Sequence, residues 1–135
     1  MKNQRQSNLE LTRAEEQVMQ VLWKIEKGVI HDILQRFPDP KPAYNTISTI
    51  VRILEQKGFV NHKAYGRTYE YFPLVPRSEY TRRYLGNFLQ NYFGNSFKSL
   101  ASFFAREEKP SLQELEEILN IINQEITNQK NRHNE

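Results

Sequence analysis

The chain has 135 residues, 38% of them hydrophobic and 12% aromatic, enough apolar material for one domain, or a small domain plus an appendage, around a real core. It contains no cysteine, which excludes disulfide frameworks and thiolate metal sites, and its three histidines, His31, His62 and His133, lie far apart with no second ligand-type residue at metal-site spacing. The net charge of +3 is uneven: Met1 to Arg77 holds 12 Lys and Arg against 8 Asp and Glu, while Ser78 to Glu135 holds 7 against 8, so the basic excess sits in the front half, as it would if that half met a polyanion.

The first helix is expected from about Arg13 to Glu26. "TRAE" is a capping box in which Thr12 and Glu15 satisfy each other's backbone amides, and Val18, Leu22 and Ile25 follow at helical spacing. Gly28 is expected to close it as a left-handed cap. "VIHDILQRF" predicts a shorter second helix, stopped by the three prolines of "PDPKP". In "AYNTISTIVRILEQKGFV", Ile47, Ile50, Val51 and Leu54 form one buried stripe of a third helix, which Lys57 and Gly58 end. Its other side carries Asn45, Thr49, Arg52 and Gln56, flanked by Thr46 and Ser48. Phe59 to Lys63 and Thr68 to Phe72 then read as a β-hairpin turning around "AYGR", with Lys63 and Arg67 near its tip.

Beyond Pro76 the pattern is helical again. Tyr80, Tyr84, Phe88, Tyr92 and Phe93 are its apolar stations, and Gly94-Asn95 interrupts it before "FKSLASFFAREE". A last helix opens at the capping box "SLQE" and carries Leu112, Leu115, Ile118, Leu119, Ile122 and Ile126. Residues 1–8 and 129–135 read as disordered tails.

Three helices and a hairpin in this order predict a mainly α fold with a small β-hairpin: a winged helix-turn-helix over residues 9–76, followed by a helical dimerisation region over residues 77–128. The outward face of the third helix suits DNA. Asn pairs with adenine, Ser and Thr bond phosphate or bases, Arg matches guanine or phosphate, and no carboxylate lies between Asn45 and Arg52 to repel the backbone. A merely solvated face would favour Glu and Lys, which are better helix formers than Asn, Ser and Thr. Tyr44 bonds a phosphate or packs, and Lys63 and Arg67 are expected on the backbone or in the minor groove.

The C-terminal stripes exceed what a winged helix covers, so a second copy of the chain is the expected partner. Tyr84, Phe88, Tyr92, Phe93, Leu100, Leu115, Ile118, Leu119 and Ile122 are the candidate dimer residues. The target is then an inverted-repeat double-stranded operator. A competing role for Tyr80, Tyr84, Phe88, Tyr92 and Phe93 is to line a small-ligand pocket between the two regions. Catalysis, a metal and a cofactor are not expected, because the five glycines form no phosphate-cradling loop and no catalytic constellation stands out. No apolar run approaches the ~20 residues that span a bilayer. "MKNQRQSNLE" has no apolar core of a signal peptide, so a cytoplasmic protein without membrane insertion is expected.

"LTRAEEQVMQVLW", "AYNTISTIVRILEQKGFV" and "GRTYEYFPLV" together closely resemble the penicillinase-repressor (BlaI/MecI-type) family of bacterial regulators, from about Leu9 to Ile122. The resemblance implies a dimeric winged-helix repressor that shuts off transcription of an antibiotic-resistance gene and of its own operon. It also implies release by cleavage near an Asn-Phe bond, triggered by a membrane-bound sensor with a metalloprotease domain. The matching stretch "SLASFFAREE" puts Phe103 and Phe104 at that bond, without the Asn, and the two residues read equally well as dimer core. The cysteine-pair motif of copper-responsive relatives is missing.

Overall fold

Thr12 starts the first helix, α1 (Arg13–Ile25), through both halves of the capping box: the Glu15 amide donates to Thr12 Oγ1 (3.2 Å) and the Thr12 amide to Glu15 Oε1 (2.8 Å). The computed structural model describes residues 10–134, so the tail expected over residues 1–8 lies outside the described residues. After α1 come α2 (Ile30–Gln35), α3 (Tyr44–Gln56), the strands β1 (Val60–Tyr65) and β2 (Thr68–Pro73), and then α4 (Arg77–Phe93), α5 (Phe97–Glu107) and α6 (Leu112–His133). This is a winged helix followed by C-terminal helices.

Gly28 does not cap α1. Glu26 takes the positive φ there (73°), and Gly28 instead forms a one-residue third strand against the hairpin, donating to Tyr71 O (2.9 Å) and accepting from Tyr71 N (2.8 Å). A single paired residue has no periodicity, which is why the pattern hides it. Glycine suits the position by space: a Cβ would meet Ile25 Cδ1 at 2.9 Å and Asp32 Cβ at 3.2 Å. The end of α2 is held by Lys41, whose ammonium donates to Phe37 O (2.7 Å) and Gln35 O (3.1 Å).

Gly58 (φ 84°) does end α3, in a Schellman motif: the Gly58 amide donates to Glu55 O (3.0 Å) and the Phe59 amide to Leu54 O (2.9 Å). The chain turns and Phe59 enters the core, leading into β1. The hairpin is antiparallel with Val60 opposite Pro73 and Tyr65 opposite Thr68, so the turn is only Gly66-Arg67, tighter than the expected "AYGR", and Gly66 takes φ 64°.

The core of this unit joins Val18, Met19 and Leu22 of α1, Ile30 and Ile33 of α2, and Ile47, Val51 and Leu54 of α3, with Phe59, Val60 and Tyr71 closing it from the wing. Ile50 packs against it only partly buried. Tyr80, in the first turns of α4, belongs here too, 8% exposed with its ring 5.7 Å from Trp23 and 5.9 Å from Phe59. The chain divides into two compact units, the first ending at Tyr84 and the second beginning at Leu85, inside α4.

In the second unit Gly94 (φ 54°) and Asn95 (φ 64°) separate α4 from α5, and the hydroxyls of Ser96 and Ser111 accept from the amides of Ser99 and Glu114 (each 3.1 Å) to start α5 and α6. Gln129 to His133, expected as a tail, are the last turn of α6. Side-chain pairs along the helix surface, Gln129 and Arg132 both to Glu125, continue it past the end of the apolar stripe. Among the described residues no helix is long and apolar enough to cross a membrane.

Candidate nucleic-acid interface

The outer side of α3 is set by its inner one. With Ile47, Val51 and Leu54 buried, the 3.6-residue period turns Asn45, Thr46, Thr49, Arg52 and Gln56 to the exterior. Ser48 is half-buried on the flank facing the wing, and Tyr44 is exposed in the first turn. The Thr49 hydroxyl donates back to Asn45 O (2.9 Å), which spends its proton and leaves an acceptor lone pair and the methyl facing out. Among the described residues the Asn45 amide has no side-chain partner, and the Arg52 guanidinium has neither a hydrogen bond nor a carboxylate in ion-pair reach. At Asn45 and Arg52 the face thus presents polar groups that the protein's own side chains leave unengaged.

The wing is locked to α3 from below. His62 Nδ1 donates to Glu55 Oε1 (2.6 Å) and Oε2 (2.9 Å), and its ring stacks on Tyr69 at 4.2 Å. The Glu55 carboxylate, on the same helix as the outer face, is in this way engaged internally. Strand alternation puts His62, Tyr69 and Tyr71 on the wing side that meets α3, whereas Lys63 lies on the opposite side, its ammonium 5.5 Å from the Tyr65 ring centre.

Lys63 and Arg67 are therefore not brought together. Arg67, at the turn, shares a groove of about 440 Å³ with Tyr44, Ser48 and Arg52 of α3; Thr68, Tyr69 and Tyr71 of β2 also line it, as does His31 of α2. The contributions of His31, Thr68, Tyr69 and Tyr71 escape a reading by helix faces, because they come from other elements. Period two along "TYEY" places Tyr69 and Tyr71 on one side, and that signal was available.

The position of α3 relative to α1 is fixed by a buried ion pair, Lys57 Nζ to Glu15 Oε1 at 2.8 Å, with Glu15 only 3% exposed. Burial pushes the Glu15 pKa up, but the hydrogen bonds from Lys57 and Thr12 outweigh it and hold the carboxyl below its ordinary value. One carboxylate serves both the start of α1 and the end of α3.

The residues of the C-terminal stripes are placed as follows. Phe88 lies 5.3 Å from Tyr92 and 5.6 Å from Phe93, ring to ring, and Phe93 meets Phe103 edge-on at 5.6 Å. Tyr84 and Tyr92 are exposed, Leu100 and Leu115 half-buried, and Ile118, Leu119 and Ile122 exposed along α6. Among the described residues from Leu85 onward, Leu89 alone is buried. Phe103 and Phe104 stand inside α5, 49% and 38% exposed. Tyr80, for which lining a ligand pocket was the competing role, is core, because the first turns of α4 pack on Trp23 and Phe59.

The chain matches the family model described as Penicillinase repressor over residues 11–124. It is 30% identical over 115 residues to the methicillin resistance regulatory protein MecI of Staphylococcus aureus strain N315, and 32% identical over 119 residues to the protein of that name from Mammaliicoccus sciuri. In both cases 84% of this chain and 94% of the relative are covered. It is also 26% identical over 122 residues to the penicillinase repressor of Bacillus licheniformis, covering 90% of this chain and 95% of that protein. With a winged helix in its first unit and a family match across nearly all of its length, the chain belongs to the penicillinase repressor family.

Proposed function

We propose that the protein is a cytoplasmic, non-catalytic transcriptional repressor that binds double-stranded DNA with α3 in the major groove and the wing beside the backbone. The observation that carries this is the outer face of α3: polar, free of carboxylates from Asn45 to Arg52, and, among the described residues, with the Asn45 amide and the Arg52 guanidinium unengaged by the protein's own side chains. Such a face costs helix propensity and contributes nothing to the core, which supports a role in reading bases.

The second unit supports a homodimer. From Leu85 onward, Leu89 is the single buried side chain among the described residues, and Ile118, Leu119, Ile122 and Ile126 are exposed on α6, so this unit holds too little core to be stable alone. Covering these stripes with a second copy relates two α3 helices by a two-fold axis, and the operator is then an inverted repeat with half-sites about 34 Å apart, or a multiple of that. The regulated genes are antibiotic-resistance genes, in keeping with the names of the relatives. Release follows cleavage at Phe103–Phe104, triggered by a membrane-bound sensor metalloprotease. Because this bond is helical, α5 opens locally before it is cut.

Selection of bound sequences from random duplex DNA by the intact chain tests this reading. The expected product is a palindrome. Unchanged binding to it by an Asn45→Ala/Arg52→Ala double variant overturns the assignment of α3.

A further inference from the structure

We infer that the groove between α3 and the wing is a seat for one phosphodiester of the DNA backbone, gripped by Arg52 and Arg67, so that Arg52 positions the duplex rather than reading a base. The inference rests on the DNA-binding reading and adds to it a ligand site built from separate elements.

The groove is walled on one side by Tyr44, Ser48 and Arg52, successive turns of α3, and on the other by Arg67 and Thr68 at the tip of the hairpin. Two guanidiniums sharing one groove repel each other, and among the described residues neither has a carboxylate in ion-pair reach. The nearby Glu55 carboxylate is occupied by His62. An arrangement of two unpaired cations is stabilised by an anion placed between them, and guanidinium forks match phosphate oxygens in geometry as well as charge.

The floor adds a further hydrogen-bond donor. Tyr71 is 6% exposed and lines the groove, yet among the described residues its hydroxyl makes no hydrogen bond. Burial pushes its pKa up, with Glu55 acting the same way and Arg52 against, so the group stays a neutral donor at physiological pH. Lining the groove, this hydroxyl is a donor that an acceptor oxygen placed there can engage. Ser48 and Thr68 add two more hydroxyl donors on the walls.

The occupant is a backbone phosphate and not a free one because of where the groove lies. Its α3 wall is the flank of the reading helix, and a helix in the major groove runs beside a phosphate strand. The hairpin tip reaches the same strand from its other side.

The test uses the full chain and the duplex recovered by selection, with single phosphates replaced in turn by neutral methylphosphonates. In the parent protein, one position in each half-site is expected to lose affinity about tenfold on neutralisation. Arg52→Ala and Arg67→Ala should each lose about tenfold on the unmodified duplex, lose little more when that phosphate is neutral, and bind with a salt slope shallower by about one. Tyr71→Phe, which removes only the hydroxyl, should cost a few-fold at the same position and nowhere else. The inference is overturned if both arginine variants stay as sensitive as the parent at every phosphate, or if the Arg52→Ala loss is confined to duplexes carrying one particular base pair. Failure of the parent to prefer any duplex would instead overturn the DNA-binding reading beneath it.

Discussion

Asn45 and Arg52 sit two turns apart on the same exposed helix, yet their surroundings divide their work. Asn45 faces out with its amide free, and a free amide can make a paired hydrogen bond to adenine. Replacing it with alanine should lower affinity for the selected palindrome by about tenfold per half-site and leave binding to scrambled DNA unchanged, as titrations against both duplexes would show. Glu15 makes a different kind of claim. Removing its partner, as in Lys57→Ala, leaves a buried carboxylate unpaired and should destabilise the first unit by about 2–3 kcal/mol, the low end for buried pairs because the lysine side chain is 22% exposed. Since the Glu15 carboxyl titrates lower in the folded than in the unfolded chain, its contribution is complete above about pH 4.5 and is lost as pH falls through the lowered folded-state value. Urea melts at neutral and acid pH should show that loss in the parent and a smaller one in Lys57→Ala.

At the scale of elements, the two glycines that bracket α3's neighbours are needed for unrelated reasons. Gly58 has nothing within 4 Å of a notional Cβ but takes φ 84°, so Gly58→Ala should cost about 1–2 kcal/mol of backbone strain without crowding anything. Gly28 has ordinary φ but no room, and Gly28→Ala should cost about 1–3 kcal/mol by pushing on Ile25 and Asp32 and loosening the bridge to Tyr71. Thermal melts would give both costs; only the Gly28 variant should also speed hydrogen exchange of the Tyr71 amide. The helix ends were legible in the residues: Thr12, Gly58 and Ser111 each act where capping chemistry puts them. The end of α1 was not, because the positive φ fell on Glu26, and the chain context that frees Gly28 for the sheet lies 43 residues away at Tyr71.

For the whole molecule, the division inside α4 changes what a truncation should do. Ending the chain after Tyr84 keeps Tyr80 on Trp23 and Phe59 and should leave a folded monomer with poor operator affinity. Ending it after Pro76 strips that ring from the core and should cost a further 2–4 kcal/mol, roughly the loss of one buried aromatic. Sedimentation and urea melts on the two fragments and the intact chain would check both expectations, and a monomeric intact chain would refute the dimer.

By itself the sequence determined the order and type of the elements, the stripe that buries α3 and the polar face that it must then turn outward, since these follow from periods of 3.6 and 2 and from cap chemistry within a few residues. Only the tertiary structure decided that Arg52 and Arg67 share a groove while Lys63 stands on the far side of the wing, that Gly28 completes the sheet, and that Tyr80 belongs to the first core. Those are meetings between residues distant along the chain, set by how whole elements pack, and no local period records them.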